Sequence, residues 1–530
     1  MAGDASDLTI YYVSDTHGHV FPVDYATGRT APGGILAFAS QVSGAHDADT
    51  LVIDGGDSLQ GSPLIARYLA DPAACLANPV AAAMNAARVD YFTLGNHDFN
   101  FGYEPLAAYL RAMEGTCLCA NVEDLRGGLR LRRSAVHVLG NGLRVGITGV
   151  VTDWVNVWES SHGGPEGVRV LDPFDAAARE CADLAPLCDV CVCVYHGGFE
   201  EDLATGQVLE ASGENVGCRI ARELDFDLLL TAHQHREVPG VAIGGTWCLQ
   251  PGCNARKYAR VEARPAGAGC AGGPGCPGSP RWSFSSELVP VGAAHADQPY
   301  RTLMPFEEAV QRHLDERIGE LASEVPPVPL LDAALHGSPL ADLVNAAQLW
   351  AARRAVPGVE LSCTASTMAP MGMPARVTER DVVRVYPFQN SLMVVELDEA
   401  ALRATLERCA AYLSLGDDGS PKISDEFVSP KLQHFNHDFY AGLDVTFDLR
   451  RAVGERVVSV RRAGGAELGH GPFLMAMNDY RATGTGGYDA LRGCPVRWTS
   501  DRDVPGIVAD YVRACSPVEV RPLGAVHVLW

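Results

Sequence analysis

The chain has 530 residues, too many for one hydrophobic core, so two domains are expected. It is 47% hydrophobic and 20% charged, a globular balance that excludes disordered and fibrous classes. Asp and Glu outnumber Lys and Arg by 65 to 42, a formal net charge of −23, so the basic footprint that a nucleic-acid polymer or an anionic membrane needs is missing.

The N-terminal stretch "MAGDASDLTIYYVSD" has neither a basic n-region nor a long apolar h-region, and no apolar run is long enough to span a membrane. The 16 cysteines are scattered, many inside apolar runs such as "DVCVCVYH", and read as buried reduced thiols. Cys270 and Cys276 stand in a Gly/Pro-rich insertion, "AGAGCAGGPGCPGSP", expected to be a solvated loop. A cytoplasmic protein is the resulting expectation.

In chain order, apolar runs at 8–13, 50–55, 91–95, 143–150, 189–195 and 227–232 predict strands. Several are continuous in Val, Ile and Leu, as in strands buried on both faces. Helices are predicted between them at 79–87, with proline in the first turn, and at 172–184, with Asp172 as N-cap before Pro173. This alternation predicts a layered α/β domain over 1–295. In 305–325, Phe306, Val310, Leu314, Ile318 and Leu321 fall on one helical face, which predicts a helix within a linker spanning 296–330. A second domain, 331–530, opens with Ser338 as cap and Pro339 in the first turn. It continues as strand 391–397, helix 398–413 and strands 443–449, 457–462 and 473–478, an α+β pattern.

The chemistry lies directly after the strands of the first domain. Asp15 and His17 follow the first run, Asp57 the second, and Asn96, His97 and Asp98 the third; His196 and the pair His233 and His235 follow the last two. In open α/β sheets ligands gather at the carboxyl ends of the strands, so five strands deliver metal-type residues to one edge. A single Asp after a strand is ordinarily a turn or cap residue. Recurrence at five strand ends is what turns does not explain. Imidazole, carboxylate and carboxamide donors suit Mn, Fe, Co, Ni or Zn, and the set exceeds the needs of one ion.

Together the blocks Asp15-x-His17, Gly55-Gly56-Asp57, Gly95-Asn96-His97-Asp98, His196 and His233-x-His235 resemble the calcineurin-like metallophosphoesterases. The later stretches "NAAQLW", "RVYPFQNSLMVVEL" and "MNDYRATGTGGY" resemble the C-terminal domain of bacterial 5′-nucleotidases, and "FYAGLDVTFDLRRAVGERV" is similar to the 2′,3′-cyclic-nucleotide 2′-phosphodiesterase/3′-nucleotidase branch. The resemblance implies a four-layer α/β/β/α metallophosphoesterase domain followed by an α+β substrate domain. It implies two divalent ions, one on Asp15, His17, Asp57 and His235 and one on Asp57, Asn96, His196 and His233. His97 would stabilise charge or protonate the leaving oxygen, Asp98 would orient it, and Gly95 would let the chain bend. Phe388 and Tyr480 would sandwich a base, with Asn390 at its edge.

Three departures from the family pattern stand out. Ala232 replaces a common glycine. The region "SCTASTMAPMGMPARV" lacks a Gly-rich stretch ending in Arg, and Gly486 or a neighbour stands where the family carries an acidic residue. The implied activity is hydrolysis of small nucleotide phosphoesters at the 2′, 3′ or 5′ position. A nucleotide-sugar pyrophosphatase with 5′-nucleotidase activity and a catalytically silent nucleotide-binding protein are the alternatives. Metal identity, base preference and oligomeric state stay open.

Overall fold

The computed structural model describes residues 7–159, 164–266, 281–294, 297–429 and 432–530; the insertion bearing Cys270 and Cys276 lies outside the described residues. The chain divides into two compact units, Met1–Gln311 and Arg312–Trp530.

The first unit contains two large sheets. One runs in the order Trp282–Pro290, Lys257–Pro265, Leu8–Val13, Thr50–Asp54, Tyr91–Phe92, Thr116–Leu118, Leu131–Arg132. The other runs Glu237–Ile243, Thr246–Pro251, Leu228–Thr231, Val190–His196, Arg144–Val151, Ser134–Val138. The central pairings of each are parallel, which needs crossover connections and buries both faces of the strands. Ile10, Tyr12, Leu51 and Ile53 of the first sheet share one core with Ile147, Val192, Val194 and Leu230 of the second. The outer face of the second sheet, through Cys193, Tyr195 and Leu229, packs on Ala177 and Cys181 of helix Pro173–Leu184 and Ile220 of helix Gly217–Glu223. On the first sheet, Tyr258 meets Phe38 of helix Ile35–Val42, ring centroids 5.3 Å apart.

Local capping follows the sequence. Asp172 accepts from the Asp175 amide and Ser338 from the Ala341 amide, each before a proline in the first turn. The sixteen-cysteine reading also agrees: the described cysteines are free thiols, most of them buried.

The predicted helix 305–325 is corrected. The helix runs Asp297–Leu314 with Pro305 inside it, and Arg317–Glu320 is a strand pairing with Arg376–Thr378. Phe306, Val310 and Leu314 keep the helical stripe buried, whereas Ile318 and Leu321 belong to the core of the second unit. The period survived the end of the helix because the strand supplied Ile318 and the residue just past it is Leu321. The division between units falls at Gln311, inside the helix, rather than across a linker of 296–330.

The second unit is built on a five-stranded mixed sheet ordered Asp438–Ala441, Leu361–Ala365, Phe473–Asn478, Ser391–Leu397, Val496–Asp503. Helices Pro339–Ala355 and Val504–Cys515 cover one face, and helix Glu399–Ala410 with a three-stranded sheet covers the other.

Candidate metal centre

Each candidate ligand sits at or just past the carboxyl end of a strand. Asp15 follows Leu8–Val13, Asp57 follows Thr50–Asp54, and Asn96 follows Tyr91–Phe92. His196 ends Val190–His196, and His233 follows Leu228–Thr231. The edge expected from the sequence is shared by two stacked sheets, three strands from one and two from the other.

The backbone there is unusual. Asp15, His17, Asp57, His233 and His235 all have positive φ, between 49° and 68°. Side-chain-bearing residues rarely adopt this left-handed conformation, and such strain concentrates at sites the surrounding structure holds in place.

Ligand-type atoms converge in two groups, Asp15 with His17 and His235, and Asp57 with His196 and His233, the atoms of each group within 4.8 Å of one another. In the first group His17 Nε2 lies 2.9 Å from His235 Nε2, which is 3.5 Å from Asp15 Oδ1. In the second, His196 Nε2 lies 3.2 Å from both Asp57 Oδ2 and Asn96 Oδ1, and His233 Nδ1 lies 2.9 Å from Asn96 Oδ1.

The far nitrogens decide the tautomers. His17 Nδ1 is 2.9 Å from the Gln60 carbonyl, His196 Nδ1 is 2.6 Å from the Gly55 carbonyl, and His233 Nε2 is 2.9 Å from Glu214 Oε1. These oxygens only accept, so each facing nitrogen carries a proton, and in the neutral, metal-binding form of the ring the other nitrogen turns a lone pair inward. In that form lone pairs of His17, His196 and His233 point at other ligand atoms, with carboxylate and amide oxygens among them. In the second group acceptors then face acceptors, an array that fits a cation, and in the first the Asp15 carboxylate and two imidazoles offer a cation three donor atoms.

The buried carboxylates call for positive charge here: burial works against a charged ring, but Asp57 and Asp15 raise His196 to about 10, so its inward nitrogen can carry a proton where a cation would otherwise stand. Asp15 and Asp57 are fully buried, and among the described residues their ion-pair partners are histidines, not Lys or Arg. Burial raises the Asp15 carboxyl to about 6 against the pull of His196. Burial lowers His17 to about 4, which keeps it neutral, the form that binds metal. Burial works against charge on Asp57, but His196 and His97 hold it well below the usual carboxylate range.

Gly95 has φ −101° and ψ 172°, extended backbone open to any residue, so its expected role in bending the chain is corrected. A Cβ there would lie 2.1 Å from Asp57 Oδ1. Glycine is needed because the Asp57 carboxylate passes over it. Ala232 is fully buried without positive φ and needs no glycine.

Asp98 is also corrected. Its carboxylate accepts the backbone N–H groups of Gly95 (2.8 Å), Asp57 (3.1 Å), Ser58 (2.9 Å) and Leu59 (2.9 Å). Those bonds take up the lone pairs that would have oriented His97. His97 Nδ1 instead meets Asn100 Oδ1 at 2.7 Å, and Asn100 Nδ2 donates to Glu159 Oε1 at 2.6 Å. Sequence reasoning missed Asn100, Glu159 and Glu214. Asn100 had a signal, since three residues along one helical turn share a face. Glu159 and Glu214 arrive from distant loops and had none.

In the second unit the Phe388 ring is 43% exposed. Phe435 stands 6.3 Å from Phe388 and 6.0 Å from Tyr480, edge-on to both. It is an aromatic the sequence did not flag. Asn390 Nδ2 donates to Asp479 Oδ1 at 2.8 Å. Gly486, φ 78°, has Asn436 Oδ1 2.2 Å from where a Cβ would stand, so no side chain fits there.

Residues 8–237 match the calcineurin-like phosphoesterase family, and residues 318–493 match the 5′-nucleotidase C-terminal domain. The chain carries an N-terminal metallophosphoesterase domain and a C-terminal 5′-nucleotidase domain. The chain is 24% identical to the 2′,3′-cyclic-nucleotide 2′-phosphodiesterase/3′-nucleotidase of Haemophilus influenzae, over 98% of this chain and 86% of that one. It is 23% identical to the trifunctional nucleotide phosphoesterase protein YfkN of Bacillus subtilis, over 95% of this chain but 38% of that longer one. A Staphylococcus aureus crystal structure assigned to the 5′-nucleotidases superposes with TM-score 0.86 at 27% identity, covering 99% of this chain and 100% of that one.

Proposed function

We propose that the chain hydrolyses phosphoesters of small nucleotides, using two divalent ions held at the strand ends. Asp15, His17, Asp57 and His235 would hold one ion, and Asp57, Asn96, His196 and His233 the other, with Asp57 shared. The observation that carries this reading is the convergence of imidazole lone pairs and buried carboxylate oxygens on two points. When bound, such ions supply Lewis-acid charge for the phosphoryl oxygens and lower the pKa of an attacking water toward about 7.

The chain's own residues do the rest. The Gln60 and Gly55 carbonyls and Glu214 hold three imidazoles in the tautomer that ligation requires. The Asp98 carboxylate holds the Asp57 loop. His97, with Nδ1 turned to Asn100, leaves Nε2 to meet the phosphoryl group or the departing oxygen. Phe388 and Tyr480 would stack the base, which is worth about 1–3 kcal/mol per base and tolerates different bases. The relatives' names point to cyclic and 3′-nucleotides as the substrates to try first.

The test is phosphate release from 5′-AMP, 3′-AMP, 2′,3′-cyclic AMP and a nucleotide-sugar by chelator-stripped protein given Mn or Zn. Metal-dependent turnover of cyclic and 3′-nucleotides is expected. No turnover of any substrate with either metal would overturn the proposal. Turnover of the nucleotide-sugar alone would select the pyrophosphatase reading instead.

A further inference from the structure

His97 sits at the head of a hydrogen-bonded chain that runs through Asn100 to a buried carboxylate. Its Nδ1 lies 2.7 Å from Asn100 Oδ1, and Asn100 Nδ2 donates to Glu159 Oε1 at 2.6 Å. Asn100 closes the single 3₁₀ turn Asn96–Phe99, so its amide and the imidazole three residues earlier stand on one face. Glu159 comes from the far side of the chain, 59 residues away, at the end of helix Val155–Trp158, and is only 9% exposed.

The polarity of the chain is fixed from the Glu159 end. A carboxylate accepts and cannot donate, so it must face the amide nitrogen, which leaves Oδ1 toward the ring. An amide oxygen facing the ring requires the proton on Nδ1. Turning the amide over would set oxygen against oxygen at Glu159. Nε2 is therefore the ring nitrogen offered to a substrate, in a fixed direction; it gives a proton to the leaving oxygen from the imidazolium form, in which Nδ1–H still donates to the Asn100 oxygen. The segment carrying Glu159 is itself tied to the metal centre. The Trp158 ring lies 5.5 Å from that of His233, and Thr152 Oγ1 donates to the Glu214 carbonyl at 2.8 Å.

We propose that Asn100 and Glu159 are positioning residues that act through His97 on the oxygen leaving phosphorus. Glu159 orients the Asn100 amide, and Asn100 holds the imidazole and its tautomer. The inference rests on the reading of His97 given above. It predicts that the effect of either residue depends on the leaving group, because an acidic leaving group needs no help from a proton donor whereas a nucleoside hydroxyl does.

The test uses the full-length, metal-loaded protein and two diesters, bis(p-nitrophenyl) phosphate and 2′,3′-cyclic AMP. Glu159→Gln and Asn100→Ala should each lower kcat for the cyclic nucleotide about tenfold or more, leave KM within about twofold, and barely change the p-nitrophenyl ester. Metal content should stay at the wild-type level. The exchange variant Asn100→Asp/Glu159→Gln returns a donor–acceptor pair with the charge moved one residue along, and should recover kcat to within about threefold of wild type. His97→Asn is the reference. If it lowers both substrates equally, the reading of His97 fails and the inference falls with it. If His97→Asn is selective for the cyclic nucleotide while Glu159→Gln and Asn100→Ala are not, the relay alone is overturned. Loss of both substrates together with metal from the single variants, without recovery in the exchange variant, shows a merely structural role and also overturns it.

Discussion

The Asp98 carboxylate accepts the backbone N–H of Asp57 at 3.1 Å and, with its other bonds, joins the turn carrying Asn96 and His97 to the loop carrying Asp57. Two strand ends 41 residues apart are thereby set in one register. Asp98→Asn removes an acceptor from backbone donors that have no water to turn to, at a cost of about 1–3 kcal/mol. The expected result is weaker metal binding and a lower melting temperature, with cyclic AMP and p-nitrophenyl ester turnover falling in parallel. A drop confined to the cyclic nucleotide would return Asp98 to the proton-transfer role the sequence suggested.

Glu214 backs His233 at 2.9 Å. Carboxylates in this position typically contribute 10–100-fold to metal affinity. Glu214→Gln should weaken one of two ions by about that factor in chelator competition, leaving the other unchanged. Equal affinity for both ions in wild type and variant would remove Glu214 from the centre.

Phe435 lies edge-on to both Phe388 and Tyr480, the two rings proposed to stack a base. Phe388→Ala should raise KM for nucleotides about tenfold, since stacking is worth about 1–3 kcal/mol. Phe435→Ala should lower it, because the ring no longer competes for the space. A rise in KM on removing Phe435 would make it a stacking partner rather than an occupant of the gap. The p-nitrophenyl ester, which carries no base, serves as the control in both cases.

His437 is buried in the second unit, stacked on Tyr412 at 4.5 Å and 3.4 Å from Cys409 Sγ. Burial lowers its pKa to about 4, with Arg481 adding to the shift. An unfolded histidine titrates near about 6.5, so between that value and 4 the unfolded chain takes up a proton the folded one refuses. The contribution is fully present above about 6.5 and drains as pH falls toward 4, by on the order of 3 kcal/mol. Hydrogen exchange at strand Asp438–Ala441 should speed up over that window. His437→Gln should flatten the change; an unaltered slope would place its origin elsewhere.

The residue types at the strand ends were legible because they depend on local order alone. A run of Val, Ile and Leu makes a buried strand, and the polar residue after it must emerge at the carboxyl end. Asp15, His17, Asp57, Asn96, His196, His233 and His235 could be named on that basis, as could the caps at Asp172 and Ser338. Periodicity misled where two elements shared a phase, so the stripe from Phe306 to Leu321 read as one helix across a helix end and a strand.

What tertiary structure decided is which atom of each residue faces which neighbour. Asp98 adjoins His97 in sequence, yet its carboxylate turns away to four backbone amides, while Asn100 and the distant Glu159 meet the imidazole. The division of the ligands between two groups, the imidazole tautomers and the left-handed backbone at five ligands likewise depend on two sheets packing face to face so that their carboxyl-end loops meet. The sequence by itself determined the inventory of the site and the strands that present it. Apart from the His97–Asn100 and Gly95–Asp98 bonds within one turn, orientation came from contacts between residues tens to hundreds apart, because a hydrogen bond is set by distance and angle in space, which residue type alone does not encode.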